Sequence, residues 1–237
     1  MSISEAALAL RANRLLASLP PAECRQLLPE LEIVPLRHRA VLYHAGQILP
    51  HVYFPIAGAI SMTIATSDAG EIEVGLVGNE GMAGVAAFLG AGTAPTQYLV
   101  QLPGQALRLP SEILRARAQA GGPLHRLLLR YTNVLLTELS QSVACNSLHS
   151  VEQRCCRWLL TTRQRAGVDE FPLTHDFLAA MLGVRRASVS EVARGLQKAG
   201  LIRYARGRLA VLDPRGLASR ACECFRVGQE ALDRLFV

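Results

Sequence analysis

The chain has 237 residues, of which half are hydrophobic and 19% are charged, so it can bury a sizeable core in one or two domains and is not a disordered chain. The whole net charge of +6 lies in residues 151–237, because residues 1–150 contain ten arginines and ten acidic residues. A neutral first part and a basic second part predict two functions, the second directed at a polyanion.

Residues 4–18 have apolar side chains at helical spacing, and Glu5, Arg11 and Arg14 interrupt them. This pattern predicts a short helix and not a secretory signal. The longest uncharged stretch, residues 81–107, is broken by five glycines and two prolines, which does not suit a helix that spans a membrane. We therefore expect a cytoplasmic protein.

Residues 33–109 change to short β-type runs that alternate with glycine, proline and aspartate. This pattern is typical of an all-β roll, with a helical turn expected within residues 81–90. The predicted strands are residues 40–43, 51–55, 59–66, 71–76, 97–102 and 106–109, separated by turns at 45–46, 57–58, 67–70, 78–81 and 103–104.

A breaker, Gly121-Gly122-Pro123, precedes a long helix over residues 124–148, since proline suits a first helical turn. Apolar residues recur there at spacings of three and four, which predicts either a coiled-coil seam between two subunits or a helix packed on its own domain. We favour the seam. Its expected interface residues are Leu124, Leu127, Leu128, Tyr131, Val134 and Leu135.

A helix over residues 151–165 is followed by two shorter helices that a glycine separates. The first begins after Thr174, a good N-cap residue, and ends at Gly183; the second covers residues 186–199. A helix, a tight turn and a second helix predict a helix-turn-helix. Two strand-like segments, 201–204 and 208–212, surround residues 205–207 and predict a β-hairpin wing.

The second helix of this pair has a polar face opposite its apolar one. In DNA-binding proteins of this type the N-terminal part of that helix meets base edges. Arg186 suits guanine and Glu191 suits a cytosine amino group. Ser188, Arg194 and Lys198 suit phosphates. The alternative is a protein-contact module with an incidentally basic face. The expected DNA contacts are Arg185, Arg186, Ser188, Ser190, Glu191, Arg194, Lys198, Arg203, Arg206 and Arg208.

The segment THDFLAAMLGVRRASVSEVARGLQKAGLI, residues 174–202, resembles the winged helix of the Crp/Fnr transcription regulators, and the order of elements around it also fits that family. The resemblance implies an α+β fold: an N-terminal double-stranded β-helix or jelly roll, a long dimerisation helix and a C-terminal winged helix-turn-helix. The corresponding domains are residues 1–120, a cyclic-nucleotide-binding-like sensor; 121–149, the dimerisation helix; and 150–237, the DNA-binding domain. It further implies a homodimer on a two-fold symmetric double-stranded DNA operator, with RNA polymerase as a partner.

The sequence departs from that family at its ligand sites. The cyclic-AMP receptors hold ribose and phosphate with a Gly-Glu pair and an Arg-Ser or Arg-Thr pair; here residues 78–81 are GNEG, residues 94–97 are APTQ, and neither arginine nor lysine occurs between Arg39 and Arg108. A buried phosphodiester would lack its counter-charge, so we expect no response to cyclic AMP, although a sensor that does bind a cyclic nucleotide is the alternative. The effector stays unknown.

The recognition helix departs as well. Many members have Arg-Glu at its start and arginine four residues later, whereas this chain has Arg186-Ala187 and Glu191, which predicts a different operator. No catalytic set is visible, so an enzyme is not expected.

Six cysteines in a chain expected in the cytoplasm predict reduced thiols rather than disulfides. None forms a C-x-x-C pair, and Cys24 alone lies near the N-terminus, so we expect neither a metal site nor an iron–sulfur centre. A haem ligand would come from His38, His44, His51, His125 or His149, but isolated histidines are mostly structural or exposed. The sequence thus predicts no cofactor.

Overall fold

The computed structural model describes residues 3–67, 70–118 and 121–237. A cluster of short helices opens the chain, followed by a β roll, one long helix and a winged helix-turn-helix. The predicted turn at 67–70 and the predicted domain boundary at 120 lie partly outside the described residues. The helices are α1 (Ile3–Ala12), α2 (Arg14–Ala17), α3 (Pro21–Leu27), α4 (Val85–Phe88), α5 (Ser111–Arg117), α6 (Pro123–Leu148), α7 (Val151–Ala166), α8 (His175–Leu182), α9 (Arg186–Lys198), α10 (Pro214–Arg220) and α11 (Cys224–Leu235); the strands are β1 (Glu32–Leu36), β2 (Val41–Tyr43), β3 (His51–Thr66), β4 (Gly70–Val77), β5 (Gln97–Pro110), β6 (Glu170–Pro172), β7 (Ile202–Ala205) and β8 (Arg208–Val211).

The N-terminal helix that the sequence predicts over residues 4–18 is broken at Asn13, which is fully buried. Its side-chain oxygen accepts a hydrogen bond from the N–H of Leu16 at 3.0 Å and so caps α2. Its amide nitrogen donates to the carbonyls of Pro55 and Gly81, at 2.9 and 3.0 Å. The break therefore attaches the N-terminal helices to the roll, and it satisfies a buried polar group that would otherwise be costly.

The roll is an antiparallel sheet with the strand order β1-β5-β3-β4, and β2 also pairs with β5. Two predicted turns, at 57–58 and 103–104, are wrong: β3 and β5 run through them and pair along their length, with register shifts between Pro55 and Ile60. A Cβ atom at Gly58 would lie only 2.5 Å from the carbonyl oxygen of Leu102, and Gly58 has φ +81°. These glycines mark a bend where two backbones approach closely, and they do not end the strands.

The second half of the chain has the predicted winged helix with one additional strand. The sheet order is β6-β8-β7, because residues 170–172, which we did not predict as a strand, pair with Arg208–Ala210. The core of this half includes Ala59, Leu76 and Leu102 of the roll, so the winged helix packs directly on the roll. Within the described residues, no helix is long and apolar enough to cross a bilayer.

Candidate nucleic-acid interface

The helix-turn-helix has the predicted limits because its caps are encoded locally. The Thr174 hydroxyl accepts from the N–H of Phe177 at 3.1 Å at the start of α8, and Gly183 ends α8 with φ +62°. A Cβ atom at Gly183 would also lie 2.7 Å from Ile72 of β4. Glycine is therefore required here both by the left-handed backbone and by the close contact with the roll.

Helix α9 buries one face and exposes the other. Val189, Ala193 and Leu196 are at most 3% exposed and fix the helix on the domain core. The opposite face is solvent-exposed at five of the predicted DNA-contacting positions, and Ser188 and Ser190 are half-buried; the exposed side chains are Arg185, Arg186, Glu191, Arg194 and Lys198.

Charge on this face is largely unpaired. Arg186 lies 3.3 Å from Asp176 of α8, and both side chains are about two-thirds exposed, so solvent screens the pair and it contributes little to stability. For Glu191, Arg194 and Lys198 the described part of the chain provides no ion-pair partner. These side chains are free to reach an external ligand.

Ser190, one of the predicted DNA contacts, also makes a contact within its own domain. Its hydroxyl lies 2.9 Å from Nδ1 of His175, and that ring stacks on Tyr204 of the wing with 4.5 Å between centroids. Burial, followed by the charge of Arg186, lowers the pKa of His175, which favours the neutral ring. Ser190 therefore helps to join α8, α9 and the wing, a contact that no local sequence signal indicated.

The wing presents one free arginine at its tip. Arg206 and Gly207 both have positive φ, +51° and +73°, as a two-residue hairpin of type I′ requires. Arg203 and Arg208 instead lie 3.6 and 2.6 Å from Glu170 of β6. Glu170 thus offsets part of the charge that we assigned to phosphate contacts, while Arg206 is exposed and has no ion pair among the described residues.

Helix α6 has two apolar faces, and the sequence-based interface assignment selected the inner one. Its six predicted seam residues are each at most 8% exposed within a single chain, because the roll and α11 cover them. They are core residues of their own chain, which corrects the prediction. The six are Leu124, Leu127, Leu128, Tyr131, Val134 and Leu135.

The outer face of α6 has a second stripe. Leu129, Leu136 and Val143 are 47%, 58% and 69% exposed and lie seven residues apart. The residue four positions after each of these three is polar and also exposed; these residues are Asn133, Ser140 and Ser147. Alternating steps of four and three match a heptad in which the three apolar residues take the d positions and the polar Asn133, Ser140 and Ser147 take the a positions; an asparagine at an a position selects register and a dimeric state at a cost in stability.

Side chains of the chain itself occupy the loop of residues 78–81. The Tyr131 hydroxyl donates to the Met82 carbonyl at 3.1 Å and accepts from the Met82 N–H at 3.0 Å. The carboxylate of Glu80 accepts from the N–H of Gly78 at 3.0 Å. A Cβ atom at Gly81 would overlap the Tyr131 ring, so this ring fills the space beside Gly81.

One arginine does reach this loop, from a part of the sequence that we did not consider. Arg165 of α7 is buried between Glu80, at 3.4 Å, and Glu138 of α6. Burial by itself lowers the pKa of Arg165, but Glu138 and Glu80 outweigh that effect and hold the pKa above its usual value. Two carboxylates already neutralise this guanidinium, so it is not a free counter-charge for a phosphate.

A polar contact joins the roll to α7 beside this site. Glu73 of β4 accepts hydrogen bonds from Trp158 Nε1 at 2.9 Å and from the Ser61 hydroxyl at 2.7 Å. Burial raises the pKa of Glu73 to about 7. A neighbouring cavity of about 60 Å³ is lined by β4, α6, α7 and α11, which is small beside the ~300–1,000 Å³ of ordinary ligand pockets.

Two family models match the chain. Residues 33–120 match the cyclic nucleotide-binding domain and residues 153–220 match the Crp-like helix-turn-helix domain. The sequence has no match among curated proteins.

Solved structures share the architecture at low sequence identity. FixK2 from Bradyrhizobium japonicum has a TM-score of 0.69 at 15% identity, over 81% of this chain and 98% of that one. A CRP-family transcriptional regulator from Thermus thermophilus has a TM-score of 0.64 at 21% identity, over 79% of this chain and 96% of that one. The c-di-GMP responsive global regulator CLP of Xanthomonas campestris has a TM-score of 0.63 at 17% identity, over 81% of this chain and 99% of that one. At these identities the likeness concerns the fold.

Proposed function

The chain belongs to the Crp/Fnr family of transcription regulators, and we propose that it binds a two-fold symmetric DNA operator as a homodimer. The observation that carries this proposal is the exposed polar face of α9, which lies beside the wing in the half of the chain that holds the whole positive charge. We assign DNA binding to residues 150–237, dimerisation to 121–149 and sensing to 1–120. RNA polymerase is the expected partner at a promoter.

Base reading is assigned to the first turns of α9. Arg186 would donate two hydrogen bonds to guanine, and Glu191 would accept one from a cytosine amino group. Arg185, Ser188, Arg194 and Lys198 would contact phosphates and set the position of the helix. Ser190, whose hydroxyl is engaged by His175, would act by orienting α9 and not by touching DNA.

The dimer seam is assigned to the outer stripe of α6. Two copies in parallel would bring Leu129, Leu136 and Val143 against their counterparts and would remove from water the apolar area that a monomer exposes. A parallel pair would also place both copies of α9 on one side of the dimer. Successive major grooves of DNA are ~34 Å apart, which fixes the expected half-site spacing.

Binding should fall steeply as salt concentration rises. If each subunit neutralises about three phosphates, log K should fall with log salt at a slope of about −5 for the dimer.

Arg206→Ala should weaken binding to all sequences alike and should reduce the slope by about one per subunit. Arg37→Ala, which removes an exposed arginine from the roll, is the matched control. Gel shifts over a salt series measure both; an unchanged slope for Arg206→Ala would remove the wing from the interface.

Cyclic nucleotides should not bind the roll with micromolar affinity. Tyr131 fills the space beside Gly81, and Glu80 and Glu138 already neutralise Arg165. Calorimetric titration with cyclic AMP, cyclic GMP and c-di-GMP tests this expectation. Micromolar affinity for any of the three would favour the alternative, a nucleotide sensor of this fold, and would require Tyr131 and α6 to move.

A further inference from the structure

Four potential metal ligands that are far apart in the sequence meet where α6 ends. Cys145 and His149 come from α6 and the residue that caps it; Cys222 comes from the turn between α10 and α11, and Cys224 is the first residue of α11. One ligand atom from each lies within 4.8 Å of the other three. The three cysteines are buried and reduced, and this group is the metal-ligand cluster found among the described residues.

The distances fit a tetrahedral ion. The sulfurs of Cys145 and Cys222 are 3.5 Å apart, and the Cys224 sulfur lies 3.5 Å from Nδ1 of His149. Zinc bonds of ~2.3 Å to sulfur and ~2.0 Å to nitrogen place neighbouring ligand atoms about 3.5–3.8 Å apart in a tetrahedron. The other distances between the four ligand atoms are at most 4.8 Å, so these atoms need to move by about an ångström to bind one ion.

The surroundings of the four ligands orient them for a metal. Nε2 of His149 lies 3.3 Å from the Glu223 carboxylate, which holds the proton on that nitrogen and leaves Nδ1 free to coordinate. Gln141, one turn earlier on α6, donates a hydrogen bond to the Cys224 sulfur at 3.1 Å. A carboxylate behind a histidine ligand is the usual outer partner of a zinc site.

The charge balance also favours a bound cation. Three thiolates and one divalent ion sum to one negative charge, and two arginines of α7 are placed to offset it. The charges of Arg157 and Arg154 both act on Cys145, and that of Arg154 also acts on Cys222. Arg154 and Arg157 each have a buried Nε with no hydrogen-bond partner among the described residues.

We propose that Cys145, His149, Cys222 and Cys224 bind one zinc ion per chain. Four protein ligands leave no open position, so the ion is structural and not catalytic. It ties the first residues of α11 to the end of α6, immediately before α7 and the DNA-binding half begin. Cys224 also lines the neighbouring cavity, together with Gln141 and Asn146.

A thiol switch is the competing use of these cysteines. It would pair Cys145 with Cys222, whose sulfurs are 3.5 Å apart, and it would leave His149 and Cys224 of the same cluster unused. The sequence argument against a metal site considered only neighbouring cysteines. One sequence signal for this site is the Cys-x-x-x-His spacing of Cys145 and His149, which puts both ligands on one helix face. The other is the Cys-x-Cys pair, Cys222 and Cys224, which only the fold brings to that face.

The test is the metal content of the full-length protein, purified under reducing conditions without a metal-affinity column. Mass spectrometry of the elements should find about one zinc per chain in the wild type and in the control Cys24→Ser, whose cysteine lies outside the cluster. Cys222→Ser and His149→Ala should lose most of it. Glu223→Gln should keep the ion, but its affinity for zinc, measured in competition with a chelator, should fall about 10–100-fold.

A spectroscopic measurement covers the case in which a variant fails to fold. Cobalt(II) added to metal-free wild-type protein should give the visible bands of a tetrahedral site and a sulfur-to-cobalt charge-transfer band, and zinc should remove both. Wild-type protein that contains no zinc and gives no such bands would overturn the proposal. So would an unaltered zinc content in folded Cys222→Ser, or a Cys145–Cys222 disulfide found by thiol counting.

Discussion

Leu136→Glu is expected to convert the protein from a dimer to a monomer and to lower operator affinity by at least about 100-fold. Leu136 is 58% exposed in a single chain and is the central apolar residue of the outer α6 stripe. In a parallel pair the two glutamates would face each other in the seam, buried and unpaired. A monomer would bind one half-site at a time and would lose the ~10²–10⁴-fold advantage of two linked contacts.

Sedimentation at micromolar concentration and gel shifts on a full operator measure these two effects. Leu8→Glu is the matched control, since Leu8 is 74% exposed on α1 and lies away from the seam. Leu128→Glu should behave differently again, because Leu128 is fully buried and the substitution should unfold the domain. A stable Leu136→Glu dimer would show that the seam uses another surface.

Arg186→Ala is expected to cost about 1–3 kcal/mol on the preferred operator and to relax selection at one base pair in each half-site. Arg186 is the first residue of α9, and its guanidinium is about two-thirds exposed. Its one ion-pair partner among the described residues, Asp176, is similarly exposed and does not hold it firmly. Arg186→Lys should keep the charge but lose the two parallel hydrogen bonds.

The matched control for base reading is Lys198→Ala near the other end of α9. It should weaken binding to operator and to unrelated DNA by similar factors, because a phosphate contact has no sequence preference. Competition binding with both kinds of DNA separates the two variants. If Arg186→Ala leaves the preferred site and the affinity unchanged, α9 is docked on DNA in another orientation.

The sequence predicts best where structure is encoded locally. The limits of α8 and α9 follow from Thr174, Gly183 and the apolar spacing between them, and the structure confirms them within a residue. The glycines at 58 and 104 misled the strand prediction. Glycine is as suitable for a bend within a strand as for a turn, and only the cross-strand pairing distinguishes the two.

Long-range contacts account for the other differences. Helix α6 is apolar on two faces, and the identity of the buried face depends on α11, which packs against it 80 or more residues later. The ion pair between Arg165 and Glu80 and the contact between the sulfurs of Cys145 and Cys222 also join residues that are far apart in the sequence. Such pairs depend on the fold, and no spacing within one segment indicates them.

Selection of bound sites from random DNA by the purified wild-type protein is the most direct test of symmetric operator binding. The account predicts enrichment of two inverted half-sites whose centres are about 10–10.5 base pairs apart. The half-site should contain a guanine whose preference is lost when Arg186→Ala is selected in parallel. Enrichment of no sequence, or of a single half-site without an inverted copy, would contradict a dimer that reads DNA through α9.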